Sequence, residues 1–158
     1  MNDQYAPPPP DDAAILRGAL VSGAINAVIN GAIQYVLLRG ESAIPLRVDA
    51  ITNDAHTVLG AAVPLAVSLA MILPVVAYTT IKAPKLPFFP TVLWLTIKHG
   101  IFAFGLVVAG AVLWQRAMGE VTVSLAAAVA ILGAVAGIVS AIVNLMTIHA
   151  SLAPVLAR

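Results

Sequence analysis

The sequence predicts an all-α membrane protein, a bundle of four transmembrane helices with both termini on the same side. Three observations predict it. The 158 residues are 61% hydrophobic and only 9% charged, against about 45–50% and about 25% in soluble domains. So few charges would not cover the surface of a water-soluble fold. The apolar residues gather into four runs, each meeting the requirement of about 20 residues for a helix that crosses a bilayer. Each run is bounded by charged, capping or proline residues.

The bounds have chemical reasons. Residues 1–13, "MNDQYAPPPPDDA", read as a disordered proline-rich arm, because four consecutive prolines favour extended, solvated backbone. The acidic start is wrong for a cleavable signal. The first span, 14–38, has Asp11 or Asp12 to accept hydrogen bonds from its free amides and stops at Arg39. The second, 57–81, is preceded by the cap candidates Thr52, Asn53 and Asp54 and closed by Lys82, and His56 reads as part of its first turn. Pro64 and Pro74 each remove an intrahelical donor, which we read as a fixed bend rather than a gate. "KAPKLPFFP" cannot be helical throughout and reads as a tight connection at the membrane surface. The third span, 91–115, carries Trp94 and Trp114, 20 residues or about 30 Å apart, as anchors at the two interfaces. The fourth, 121–149, extends as far as Ala153–Pro154 and leaves 154–158 as a short tail. The longest connection, "RGESAIPLRVDAITNDAH", alternates Ile44, Leu46, Val48 and Ile51 with polar residues. It lies on the membrane surface or covers the end of the bundle.

Within this apolar frame, Ser22, Asn26, Asn30 and Gln34 recur every fourth residue and form one slanted stripe. Gly23, Ala27 and Gly31 run beside it. The fourth span repeats the pattern with Gly133, Gly137 and Ala141 next to Ala136, Ser140 and Asn144, with Thr147 near the end. Small residues let helices approach closely, and amides hydrogen-bond across the gap. An antiparallel pairing of the two spans would put Ser140 near the depth of Ser22. Two readings stay open: the stripe is a packing seam, or it lines a polar pathway around an axis of several copies.

Lys98 and His99 are candidate contacts for an ion or substrate, because intramembrane ionisable groups are functional by default. Lys98 lies one turn from Trp94, so its stem also suits snorkelling. His99 and His149 fall near the same membrane face and are candidate haem ligands.

The function expected is an oligomeric channel or small-solute transporter without a cofactor. The first alternative is a structural or accessory subunit of a larger membrane complex. The second is a haem b- or quinone-associated redox protein. The expected partners are the lipid bilayer and further copies of the chain, with a membrane-protein partner on the accessory reading. A net charge of +1 supplies no field for nucleic acid. The absence of cysteine removes disulfides and thiolate chemistry. No phosphate loop, zinc-ligand set or nucleophile–base pair is present, so the chain does not read as an enzyme. No Asp or Glu falls within the four runs, against an ion-coupled pump built on membrane carboxylates.

The end bearing the termini collects Arg17, Lys82, Lys85 and Arg158, with Lys98 nearby. The other end has Arg39, Arg47 and Arg116 beside several acidic residues. By the positive-inside rule this predicts a multi-pass protein of the cell's inner membrane with cytoplasmic termini. A reporter active only in the cytoplasm is then expected to be active after Arg158 and inactive when inserted into the 39–56 connection. The reverse result would invert the topology.

Overall fold

The computed structural model describes residues 8–41, 43–47 and 57–156. Four long helices dominate: α1 (Asp12–Leu38), α2 (Val58–Thr80), α3 (Phe88–Met118) and α4 (Leu125–Leu156). All four are long and apolar enough to cross a membrane. Two-residue strands, β1 (Ile44–Pro45) and β2 (Thr122–Val123), lie in the connections α1–α2 and α3–α4. The cap candidates Thr52–Asp54, the apolar residues Val48 and Ile51, His56 and residues 1–7 lie outside the described residues.

Each helix start has a side-chain acceptor or a backbone reason. Asp11 Oδ1 accepts from the Ala14 amide at 2.7 Å, and Thr57 Oγ1 accepts from Gly60 at 3.2 Å. Ser124 Oγ accepts from Ala127 at 3.3 Å. These bonds satisfy amides that the first turn cannot pair internally. α1 therefore begins at Asp12, slightly earlier than the hydropathy run. α4 begins at Leu125, later than expected, because Thr122 and Val123 are drawn into the strand pair. It continues through Pro154 to Leu156, so residues expected as a tail are helical. Phe89 is extended (φ −103°, ψ 131°), so the unbroken part of α3 starts at Pro90. α3 ends at Gly119, whose φ of 70° is open to glycine at little cost.

The helices do not pack in chain order. α1 packs on α4, α4 on α2, and α2 on α3, while α3 meets α4 only lightly. α4 is thus flanked by α1, which runs antiparallel to it, and by α2. Its contact with α1 is the closest in the fold. A Cβ built on Gly23 would lie 2.7 Å from the Gly137 carbonyl oxygen and 3.0 Å from Ala141 Cβ. One on Gly133 would lie 3.0 Å from the Ala27 carbonyl oxygen. The glycines bring the two backbones into contact, which is how helices gain packing energy in lipid, where hydrophobicity supplies none. α2 meets α4 through another small row: Ala62, Ala66, Ala70 and Ala77 are all buried. α2 runs unbroken past both prolines, with Pro74 buried in the same face.

The two ends are closed differently. At the loop end, β1 pairs antiparallel with β2, Ile44 opposite Val123 and Pro45 opposite Thr122. The Leu46 amide donates to the Val121 carbonyl at 2.7 Å, and Arg47 bridges Glu120 at 3.0 Å. Ile44 and Leu46 are buried with Leu38, Val58, Ala62, Ala128 and Leu132, so the described part of the long connection covers the end of the bundle. At the end bearing the termini, Lys85 Nζ donates to the carbonyls of Tyr78 and Ile81, both at 2.7 Å. A cation is well placed there, because the last carbonyls of α2 have no helical donor. The ammonium also lies 4.2 Å from the centre of the Tyr78 ring, and the Tyr78 hydroxyl donates to the Leu86 carbonyl. The Leu86 amide then donates to the Ser151 carbonyl at 3.1 Å, which fastens the α2–α3 connection to α4. Ile15 of α1 packs with Ile148 and Leu152 of α4 in this layer, so the start of α1 and the end of α4 lie at the same end of the bundle.

The seam predicts a contrast among glycines. Gly23→Val and Gly137→Val are expected to destabilise the fold by about 2–3 kcal/mol, since the added carbons meet backbone that cannot rotate away. Gly105→Ala and Gly110→Ala meet no atom within 4 Å and should be neutral or stabilising by up to about 1 kcal/mol. Thermal unfolding in mild detergent measures both pairs. Equal effects would mean that α1 is not seated on α4 as described.

Candidate functional site

The polar stripe of α1 lies on the flank of the seam turned toward α2. Ser22, Asn26 and Asn30 are half-buried, and Gln34 is 8% exposed. Asn26 Nδ2 donates to the Ser22 carbonyl at 2.9 Å, and Asn30 Nδ2 donates to the Asn26 carbonyl at 2.9 Å. This gives the four-residue repeat a local reason: each amide reaches the backbone of the rung before it. It also leaves a remainder. Among the described residues, the side-chain oxygens of Asn26 and Asn30 and the whole Gln34 amide have no hydrogen-bond partner. Gln34 opens into a groove of about 520 Å³ between α1 and α2, shared with Leu38, Ala61, Pro64 and Ser68.

On α4 the polar residues point inward. Asn144 is buried, and Ser140, Thr147 and Ser151 are 0% exposed. The hydroxyls of these last three have no hydrogen-bond partner. The seam fixes their depth relative to α1. Gly137 faces Gly23 and Ala27, and Gly133 faces Ala27 and Gly31, which sets Ser22 level with Ser140. Sequence reasoning reached Ser140, Asn144 and Thr147 but missed Ser151. Its signal was present as spacing, since 140, 144, 147 and 151 follow one helical face. The buried alanine row of α2 was missed because alanine is common in any apolar helix.

The ionisable candidates are separated. Lys98 is exposed on the same outer face as Trp94, which is 65% exposed. His99 is 2% exposed and turns inward, beside a cavity of about 30 Å³ lined by Phe102, Ala103, Val139, Val143 and Met146. Its Nδ1 has no hydrogen-bond partner. His149 is half-buried on α4 and does not line that cavity. A space of this size suits a water molecule or two and is far below that of a cofactor pocket. His99 and His149 thus do not line one cavity. Among the described residues no group of three His, Asp or Glu is placed to hold a metal.

Fold and surface together define an integral membrane protein of the four-helix class. No protein-family model, curated protein or solved structure matches the chain.

Because His99 contributes an unpaired buried nitrogen, His99→Leu is expected to leave stability within about 1 kcal/mol of the parent or above it. Thermal unfolding in detergent and in lipid nanodiscs checks this. A large loss would show that the imidazole has a partner from outside the chain.

Proposed function

We propose that this protein provides a passive polar pathway for small solutes across the inner membrane, lined by the amide row of α1, in an assembly of several copies with cytoplasmic termini. One observation carries the reading. Asn26, Asn30 and Gln34 keep unpaired amide atoms at membrane depth, and an unpaired polar group in hydrocarbon costs several kcal/mol. Water, a solute or a neighbouring copy must complete them. Neutral amides both donate and accept, so they can replace part of a hydration shell without holding an ion. α4 is the one helix with which α1 makes extensive contact, and the amide row runs up to the groove between α1 and α2.

A second reading is favoured by the half-buried state of the row: it docks a helix of a different membrane protein, and the chain is an accessory subunit. Reconstitution separates the two. Vesicles containing the protein are expected to pass small polar solutes above the level of empty vesicles. Asn26→Leu with Asn30→Leu should return flux to background while the oligomer persists in native mass spectrometry. Absence of flux in the parent protein would overturn the pathway. Co-purification of a stoichiometric partner that the double variant releases would establish the accessory role.

A further inference from the structure

Gln34 ends the polar row of α1 and differs from the rungs before it. Asn26 and Asn30 place their donors on backbone carbonyls. The Gln34 amide is 8% exposed and has no hydrogen-bond partner among the described residues. It borders the groove of about 520 Å³ between α1 and α2. That volume falls within the range of small-ligand sites, roughly 300–1,000 Å³, so the groove has room for an occupant. Leu37 on one side and Ala61, Pro64 and Leu65 on the other make most of the lining apolar. Ser68 also lines it, but its hydroxyl already donates to the Leu65 carbonyl at 3.0 Å. Gln34 is therefore the polar side chain of the groove left open. Leu37, Pro64 and Ser68 are exposed, so the groove opens on the outer surface of the bundle, where a spanning protein meets lipid.

We propose that this groove seats one acyl chain of a diacyl phospholipid, with an ester carbonyl accepting from the Gln34 amide and the phosphate on the Arg39 guanidinium. Depth carries the assignment. The uncharged stretch of α1 from Gly18 to Leu38 is about 30 Å long, the thickness of the hydrocarbon layer. Arg39 thus stands at headgroup level, exposed and with no ion pair among the described residues. Gln34 lies about one turn inside the edge of the hydrocarbon, where an unpaired amide is costly. Ala61, Pro64, Leu65 and Ser68 carry the groove deeper, since α2 enters the membrane from the same end. Cation, amide donor and apolar wall therefore follow one another in the order of phosphate, ester and chain in a phospholipid. Glu41 is exposed two residues beyond Arg39, so a net negative headgroup is not what the site selects. It reads the phosphate by charge and the ester by one hydrogen bond. Asn26 and Asn30 stay with the pathway, whose test does not depend on this site.

The test titrates the full-length protein in mild detergent with dioleoylphosphatidylglycerol or with its dialkyl ether analogue. The ether lipid keeps the phosphate and both chains and lacks the carbonyls. Native mass spectrometry reads the affinity of the first bound lipid. The ester lipid is expected to bind about fivefold tighter than the ether lipid, the effect of about one hydrogen bond. That comparison is made on the parent protein and needs no substitution. Gln34→Met, a side chain of similar length without the amide, should bring the ester lipid down to the affinity of the ether lipid. Arg39→Gln should weaken both lipids by a similar factor and keep the preference. Thermal unfolding gives a second readout, because a ligand of the folded state raises its melting temperature. The ester lipid is expected to raise it more than the ether lipid in the parent, and equally in Gln34→Met. Equal affinities in the parent, or a preference that survives in Gln34→Met, would overturn the site. So would a lipid-free dimer that Gln34→Met splits into monomers, which would give the groove to a second copy of the chain.

Discussion

The near-contact of Gly23 with Gly137 is the interaction on which the rest of the arrangement depends. α1 has α4 as its one extensive neighbour, so this seam chiefly fixes its tilt, rotation and depth. In lipid the seam has no hydrophobic gradient behind it, and it holds by close van der Waals contact between backbones. Glycine is therefore required for distance rather than for unusual dihedral angles. Alanine at either position would put a methyl group against a carbonyl oxygen. The seam also sets which residues share a level. A shift of α1 by one turn would move Ser22 away from Ser140 and set Asn30 against other residues of the alanine-rich start of α4.

The remaining contacts hold α4 at the centre. The alanine row of α2 lets it lie close along one side of α4, and the strand pair joins the two connections at the loop end. That pair is only two residues long, yet it solves a local problem. The connections leave helices at the membrane surface with unpaired backbone groups, and pairing them to each other satisfies those groups without further chain. At the other end a single lysine does similar work. Lys85 accepts the desolvation of a half-buried position because two helix carbonyls and a tyrosine face meet its charge. The ends are thus tied by polar contacts and the middle by small residues.

How much of this was legible follows from which forces leave a periodic trace. The four spans are written in hydropathy, which acts residue by residue over some 20 positions. The α1–α4 pairing is written in the Gly23–Ala27–Gly31 and Gly133–Gly137–Ala141 rows, because close approach needs small residues at every fourth place. The order of helices across the layer is not written so plainly. Ala62, Ala66 and Ala70 carry the α2–α4 contact, but alanine at helical spacing is also what a lipid-facing surface tolerates. The strand pair left no trace, since two residues have no period. The later start of α4 followed from it, as Thr122 and Val123 read as apolar helix until their partner is known. The split between Lys98 and His99 was partly legible, since adjacent residues on a helix point about 100° apart. That His99 turns inward beside a small cavity which His149 does not line needed three dimensions.

What the polar rows of α1 and α4 share is that neither is complete by itself. Asn26 and Asn30 borrow carbonyls from their own helix for their donors and leave their acceptors open. Ser140, Thr147 and Ser151 are shut away from the surface with their hydroxyls unmatched. Dividing the polar groups between two helices limits what each span must carry into the bilayer, since every uncompensated group lowers the preference for the membrane. α1 keeps an apolar outer face: Leu20, Val28 and Ile29 are exposed there. The antiparallel seam then adds the halves only after the helices meet. Insertion and assembly thus place opposite demands on these residues, and the sequence meets both by keeping its polar side chains neutral and three or four apart.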